Sequence, residues 1–279
     1  MVTPYQEYLA WTYFSRDALD AEEFSRMARM LEGVTRFIDV GASHGAYTYH
    51  ANRILTNAQL FAIEADPERF AILKANAARW AAESSNQITC INAAASDFDD
   101  RRISAEVDFQ TTGTQVSGGI FAIEERSDNY RPIRVPIICV DDLFEPAART
   151  FVKIDVEGAE LRVLRGAAQH IAGGQTSFFV EISWWGDRQR HTSSLDVLRF
   201  AYRSRLRVDR RLLSDYLMSP ESSATIRLGS IVRCLPPLIL RLGWNRFVPS
   251  QIRKWRERRL LQRRLARFMR STGATNPTQ

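Results

Sequence analysis

Short apolar runs alternate with longer amphipathic stretches through most of the first 212 residues. Residues 20–33, DAEEFSRMARMLEG, predict a helix that Asp20 caps and Gly33 stops. RFIDVG (36–41) predicts a buried strand, and AYTYHANRIL (46–55) a helix behind a glycine turn. QLFAIEA (59–65) predicts a second strand that closes on Glu64. DPERFAILKANAARWAAE (66–83) predicts a helix, with Pro67 in its first turn and Phe70, Leu73 and Ala77 on one face. ITCINAAA (88–95) predicts a third strand. This β-α-β-α-β rhythm predicts a parallel sheet with helices on both faces.

Residues 97–135 break the rhythm. ISAEVDFQ (103–110) and IRVPIICV (133–140) predict strands, and TTGTQVSGG (111–119) between them is a candidate lid. TFVKIDV (150–156) is a fourth strand, EGAELRVLRGAAQHIAGG (157–174) one helix, and SFFVEIS (177–183) a fifth strand. SLDVLRFAYRSR (194–205) predicts a helix and LRVDRRLL (206–213) one more strand. No final strand pair is readable beyond residue 212. The expected organisation is an N-terminal helical segment (1–33), a catalytic domain (34–212) and a basic helical extension (213–279).

Charge sharpens that division. From Arg205 onward there are 17 basic and 4 acidic residues, net +13; the first 204 residues hold 21 and 28, net −7. A mildly acidic domain thus carries a basic segment, a pattern that points to an anionic partner. Cys90, Cys139 and Cys234 are far apart and odd in number, so no disulfide framework or metal spacing is expected. The N-terminus lacks a basic start followed by an apolar run, so a cytoplasmic protein is expected.

The glycine turn carries the first chemistry. Strand, glycine turn, helix, then an acid ending the next strand is how α/β proteins bind a ribose-containing cofactor. Glu64 lies 23 residues after Gly41, near the expected interval for a group that accepts the ribose hydroxyls. A dinucleotide fingerprint needs a bare second position, but the turn GASHG has Ser43 in its middle. Asp39 would repel a pyrophosphate, whereas it suits a cofactor with a charged amino group. These features favour S-adenosyl-L-methionine over a nicotinamide dinucleotide, with Asp39, Gly41, Ser43, Gly45 and Glu64 as cofactor-binding candidates.

The second carrier is FVKIDVEGAELRVLRGA (151–167). Alternation puts Lys153 and Asp155 on one face of the strand, with Asp155 near the carboxyl end, where open α/β sheets bind ligands. A charged pair in an apolar strand is costly unless it is used. Glu157 and Glu160 flank the next helix start, and Glu160 suits its dipole. FIDVGASHGAYT, FAIEADPERFAILKAN, INAAASD, IRVPIICVDDL and FVKIDVEGAELRVLRGA resemble, in order, the blocks of FkbM-type S-adenosylmethionine-dependent methyltransferases, over about residues 34–185. The resemblance implies a Rossmann-like class I methyltransferase fold and O-methylation, commonly of sugars or natural products. It implies cofactor contacts from Asp39, Gly41, Gly45 and Glu64, and Asp97 near the adenine. It also implies that Asp155 lies near the transferring methyl, with Glu157 beside it.

For catalysis the candidates are therefore Asp155, Glu157 and His44, an imidazole in the turn that titrates near neutrality. Glu181, Trp184 and Trp185 are candidates for the acceptor side. No metal cluster is evident, so metal-independent chemistry is expected. In QIRKWRERRLLQRRLARFMR (251–270), Leu261, Leu265, Phe268 and Met269 share a helical face opposite Arg253, Arg256, Arg263, Arg264 and Arg267. Such a helix suits an anionic membrane surface. Packing on the catalytic domain, or RNA binding in an RNA methyltransferase, are its alternatives. CLPPLIL (234–240) is too short to cross a bilayer. The expected acceptor is a small-molecule or glycan hydroxyl.

Overall fold

The computed structural model describes residues 27–99, 106–111, 131–156, 158–182, 194–210 and 215–234. The expectations for Asp20, Glu157, Trp184, Trp185, residues 112–119 and the 251–270 helix lie outside the described residues. The elements, all within a compact unit Ala28–Cys234, begin with β1 (Arg36–Val40), α1 (Ala46–Ile54), β2 (Gln59–Glu64), α2 (Pro67–Ala82) and β3 (Gln87–Asn92). An insertion follows: β4 (Ala94–Ala95), β5 (Glu106–Thr111) and β6 (Arg131–Ile138). Then come β7 (Thr150–Ile154), α3 (Glu160–Arg165), α4 (Ala168–Gly173), β8 (Thr176–Glu181), α5 (Ser194–Arg203), β9 (Leu206–Arg210) and β10 (Asp215–Pro220). A helix at 224–234, α6, ends the described chain.

The main sheet has seven strands in the order β3-β2-β1-β7-β8-β10-β9, and the insertion forms a second sheet, β4-β6-β5. Strands β3 to β8 of the main sheet run parallel, and β10 is antiparallel to both β8 and β9. The chain steps outward from β1 in one direction and from β7 in the other. Right-handed crossovers then place α1 and α2 on one face, and α3 and α4 on the other. The α/β expectation is thus met.

Three elements differ from the sequence reading, each for a physical reason. Next to the far edge of the sheet, between β8 and β9, lies a strand, β10, that the sequence pattern does not reveal. Its burial alternates, with Tyr216 and Met218 inside, but it is short and holds Asp215, Ser219 and Pro220. The predicted helix 157–174 breaks at Gly166 into α3 and α4, where the Gly166 carbonyl accepts from Asp141 N at 2.9 Å and the Ser96 carbonyl leaves no room for a Cβ. Asp141 then caps the second helix, accepting from Gln169 N at 2.8 Å and His170 N at 3.2 Å. The third predicted strand divides between β3 and β4, which join different sheets.

The open edge at β9 is covered. Ser230 on α6 accepts from Val208 N at 3.1 Å, and Cys234 Sγ donates to the Val208 carbonyl at 3.8 Å. A paired edge cannot recruit another strand. Under α1 the sheet is aromatic: Phe37 and Phe151, neighbours in register, stack with centroids 6.0 Å apart.

Two glycines separate steric from conformational constraint. A Cβ on Gly166 would lie 2.1 Å from the Ser96 carbonyl oxygen, backbone against backbone. Gly174 has φ +68° and nothing within 4 Å of its Cβ position. Urea unfolding should show Gly166→Ala losing about 3 kcal/mol or more, and Gly174→Ala only about 1–2 kcal/mol, the cost of a left-handed Ala.

Candidate active site

The glycine turn joins β1 to α1 across the carboxyl edge of the sheet. Gly41 N and Ala42 N donate to the Ile63 carbonyl at 3.0 and 2.9 Å, and Asp155 N donates to the Val40 carbonyl at 3.0 Å. Gly41 has φ +75°, and a Cβ there would lie 1.9 Å from the Asp155 carbonyl oxygen. Gly45 has φ +96°, and its Cβ would meet Leu73 and Trp80 of α2 at 2.8 and 2.9 Å. Ser43 between them is also left-handed, at φ +53°. Both glycines are therefore required by the protein's own backbone and side chains, before any ligand is considered.

Glu64, at the end of β2, clamps this turn. Its Oε2 accepts from Ser43 N at 2.7 Å and its Oε1 from Asp66 N at 2.8 Å. Burial pushes the carboxyl pKa up, while the two backbone donors pull it down. Each oxygen keeps a further lone pair, which suits a ribose diol. Asp66 caps α2 through Glu68 N at 2.9 Å, with Pro67 at the first helical position.

Asp39 is wholly buried in β1. Its Oδ2 accepts from Thr48 N at 3.0 Å and Thr48 Oγ1 at 2.7 Å. The N-cap residue of α1, Gly45, has no side chain. Asp39 supplies the capping carboxylate from the neighbouring strand instead, at the positive end of the helix. This accounts for an acid inside an apolar run.

The other Asp39 oxygen, Oδ1, has no hydrogen-bond partner among the described residues and lies 3.8 Å from Lys153 Nζ. Lys153 sits opposite Asp39 in register, on β7, and is 4% exposed. Its ammonium also donates to Asp155 Oδ2 at 3.1 Å and lies 4.6 Å from the Tyr47 ring centroid. Burial alone would lower the Lys153 pKa, but Asp155, Asp39 and Tyr47 together raise it further than burial lowers it. Lys153 is therefore a fixed cation. Burial likewise pushes Asp39 up, against the pull of Lys153 and Thr48. Of the three, only Asp155 reaches the surface, with a third of its side chain exposed.

Tyr47, in the first turn of α1, stands at the centre of the site. Burial raises its phenol pKa; Lys153 opposes this, and Asp215, Asp155 and Glu181 add to it. Glu181 and Asp215 are direct cross-strand neighbours on β8 and β10. His44 lies elsewhere along the turn: burial and Arg69 lower its pKa, and Asp66 raises it. Its charged neighbours thus belong to α2, on the Glu64 side. Asp97 is half-buried just beyond β4. Glu160 accepts from Gly158 N at 2.9 Å at the start of α3.

The sequence reading missed Tyr47, Thr48 and Asp215. Tyr47 and Thr48 follow the glycine turn directly, so helix position was the available signal. Asp215 had none, since its strand was unread. The donor set fits S-adenosyl-L-methionine: a carboxylate for a diol on one side of the turn, and carboxylates for a cationic centre on the other. A pyrophosphate would face Asp39, Glu64 and Asp155 together.

The Lys153 bridge has a measurable signature. Lys153→Met should cost about 3–5 kcal/mol, because Asp39 is left buried without its counter-charge. Adding Asp39→Asn removes that orphaned charge while an amide oxygen still accepts from Thr48. Urea denaturation should show the double variant recovering most of the loss.

The family model Methyltransferase FkbM domain matches residues 39–207, more than half of the chain. No curated protein matches. Among solved structures, the chain is similar to methyltransferase FkbM from Methylobacillus flagellatus KT, at 18% identity over 67% of this chain and 43% of that one, with a TM-score of 0.44. It thus spans less than half the length of that protein. It is similar to precorrin-6y C5,15-methyltransferase from Geobacter metallireducens GS-15, at 11% identity, 75% and 93% coverage and TM-score 0.42. It is also similar to the O-methyltransferase from Bacillus cereus in complex with SAH, at 13% identity, 77% and 87% coverage and TM-score 0.40. The extent of the family match decides the assignment: this chain belongs to the FkbM methyltransferase family and is an S-adenosyl-L-methionine-dependent methyltransferase.

Proposed function

We propose that the chain methylates a hydroxyl oxygen of a sugar or glycan. The observation that carries this reading is the Asp155 carboxylate, partly exposed at the carboxyl end of β7 and held by a buried ammonium at 3.1 Å. S-adenosyl-L-methionine supplies an electrophilic methyl group on a sulfonium. What the protein must add is alignment of the acceptor oxygen with that group, and a place for the hydroxyl proton. Asp155 accepts the hydroxyl hydrogen bond and so aims the oxygen. Glu64 holds the ribose, Gly41, Ser43 and Gly45 form the cofactor turn with His44 beside it, Asp97 lies toward the adenine, and Glu157 assists Asp155.

Acceptor class follows from charge. Asp155, held by Lys153 beside the Tyr47 ring, is a partly exposed carboxylate. Carboxylates pair well with the many donors of a polyol and repel phosphate. This supports a sugar over RNA at the site itself. Residues 251–270 are proposed to contact an anionic membrane surface, which would bring the enzyme to a lipid-linked glycan. Among the described residues, no helix is long and apolar enough to cross a membrane.

Cofactor binding tests the first half of the reading. Both Glu64 oxygens accept from backbone N–H groups, so an amide in their place sets NH2 against N–H. Glu64→Gln should therefore fare little better than Glu64→Ala, and calorimetry should show each losing about 2–4 kcal/mol of S-adenosyl-L-methionine affinity. The second half needs an acceptor. Incubation of a panel of sugar glycosides with radiolabelled cofactor should yield a methyl ether, and Asp155→Asn should slow turnover about a hundredfold or more. Label appearing in RNA and in no sugar would overturn the acceptor class.

A further inference from the structure

Among the described residues, six large apolar side chains stand exposed, and five of them lie on two helices: Leu195 and Tyr202 on α5, and Ile226, Leu228 and Val232 on α6. Single exposed apolar residues are ordinary, but three within one short helix are not. Leu228 and Val232 are more than half exposed, at 54% and 53%.

Helix α6 is turned inside out. Its buried residues are Arg227, Ser230 and Cys234, whose spacing of three and four puts them on one inner face. Arg227 Nη1 donates to the Glu221 and Ser222 carbonyls, each at 2.7 Å, and its guanidinium lies 5.4 Å from the Tyr202 ring centroid. Ser230 Oγ and Cys234 Sγ bond the Val208 backbone on β9. These bonds fix the rotation of the helix. Leu228 and Val232, one turn apart, therefore point away from the sheet, with Ile226 at their flank. The open edge of β9 accounts for the polar inner face, because its N–H and C=O groups need partners. It does not account for the outer face, where water would suit polar side chains.

Charge selects what meets that face. From Ser222 to Arg256 the sequence holds seven basic residues and no acid. The acid just before α6, Glu221, turns back to accept from Ser223 N at 2.9 Å. The apolar run CLPPLIL (234–240) continues directly from the helix. A second copy of this chain, docked across a two-fold axis, would set like charge against like. RNA would engage the arginines and leave Leu228 and Val232 in water. An anionic bilayer suits both, with headgroups for the cations and the acyl boundary for the apolar side chains.

We propose that the outer face of α6 seats on an anionic membrane surface, with Leu228 and Val232 as its apolar anchors. For its partner this rests on the membrane reading of residues 251–270; it assigns a separate element to the contact.

Flotation of the full chain with vesicles of equal parts phosphatidylcholine and phosphatidylglycerol tests the assignment. Binding is expected at low salt, and part of it should persist at high salt, because apolar contact is not screened. Leu228→Ser with Val232→Ser should weaken binding at least about tenfold, whereas Leu228→Phe with Val232→Phe should bind as well as the native chain. Both positions are exposed and outside the cofactor site, so lipid-free melting temperature and S-adenosyl-L-methionine affinity should stay unchanged in the Ser variant. No flotation of the full chain, with or without retention on RNA, overturns this proposal together with the membrane reading of 251–270. Flotation that survives Leu228→Ser with Val232→Ser but is lost with Arg263→Ala and Arg264→Ala overturns this proposal alone. Early melting of the Leu228→Ser, Val232→Ser variant would show that protein covers the face. Its loss of a lipid-free dimer seen by light scattering would give the face to a second copy. Either result overturns the proposal.

Discussion

A buried ammonium between two carboxylates organises this molecule. Lys153 lies 3.8 Å from Asp39 and 3.1 Å from Asp155, and these three residues belong to the two central strands of the sheet and the segment just beyond one of them. Through Asp39 the ammonium reaches Thr48, and so the first turn of α1. Through Asp155 it reaches the surface of the site. A hydrophobic isostere at position 153 would pack as well, and buried ion pairs are often no better than such isosteres for stability. What the isostere lacks is direction. The ammonium fixes where the Asp155 oxygens point and leaves the helix cap in register with them, which stability alone does not require.

The glycines of the turn illustrate a second constraint. Gly41 is bare because the Asp155 carbonyl occupies its Cβ position, and Gly45 because Leu73 and Trp80 occupy its own. Neither fact specifies a ligand. A glycine turn shows that backbone approaches something closely; here that something is the protein. The identity of the ligand rests instead on the acids at either side, Glu64 and Asp155, which is why the glycine spacing alone left the cofactor open and the acids narrowed it.

Much of this was legible in the sequence, and the exceptions have common causes. Strands β1, β2, β7 and β8 are covered by other elements, so they appear as near-continuous apolar runs. Helices α1 and α2 have clear boundaries, and Asp66 with Pro67 marked one of them. The break at Gly166 is invisible in the sequence because the groups that meet it there, Asp141 N and the Ser96 carbonyl, are 25 and 70 residues away in the chain. Strand β10 alternates only between two buried residues, Tyr216 and Met218, too short a pattern to separate from a loop. The same limit hid Asp215, whose place opposite Glu181 exists only once the strand is paired. Lys153 and Asp155 stood out in advance because charge in an apolar strand is anomalous. Their link to Asp39 depended on register between strands more than a hundred residues apart.

Charge is divided between regions of the chain, and the division bears on how such an enzyme would turn over. Beside Tyr47, the Lys153 ammonium lies between the carboxylates of Asp39 and Asp155, so these three side chains together are formally negative. A site of this sign holds a cationic ligand more tightly than a neutral one of the same shape. Methyl transfer converts a sulfonium into a neutral thioether. On the proposed reading, the acidic surround therefore favours the loaded cofactor over its spent form. That preference is useful only if it does not also oppose the chemical step, since ground-state stabilisation that is lost in the transition state slows reaction. The fixed Lys153 charge moderates it, cancelling part of the carboxylate field next to Asp155 while leaving its outer oxygen to orient the acceptor.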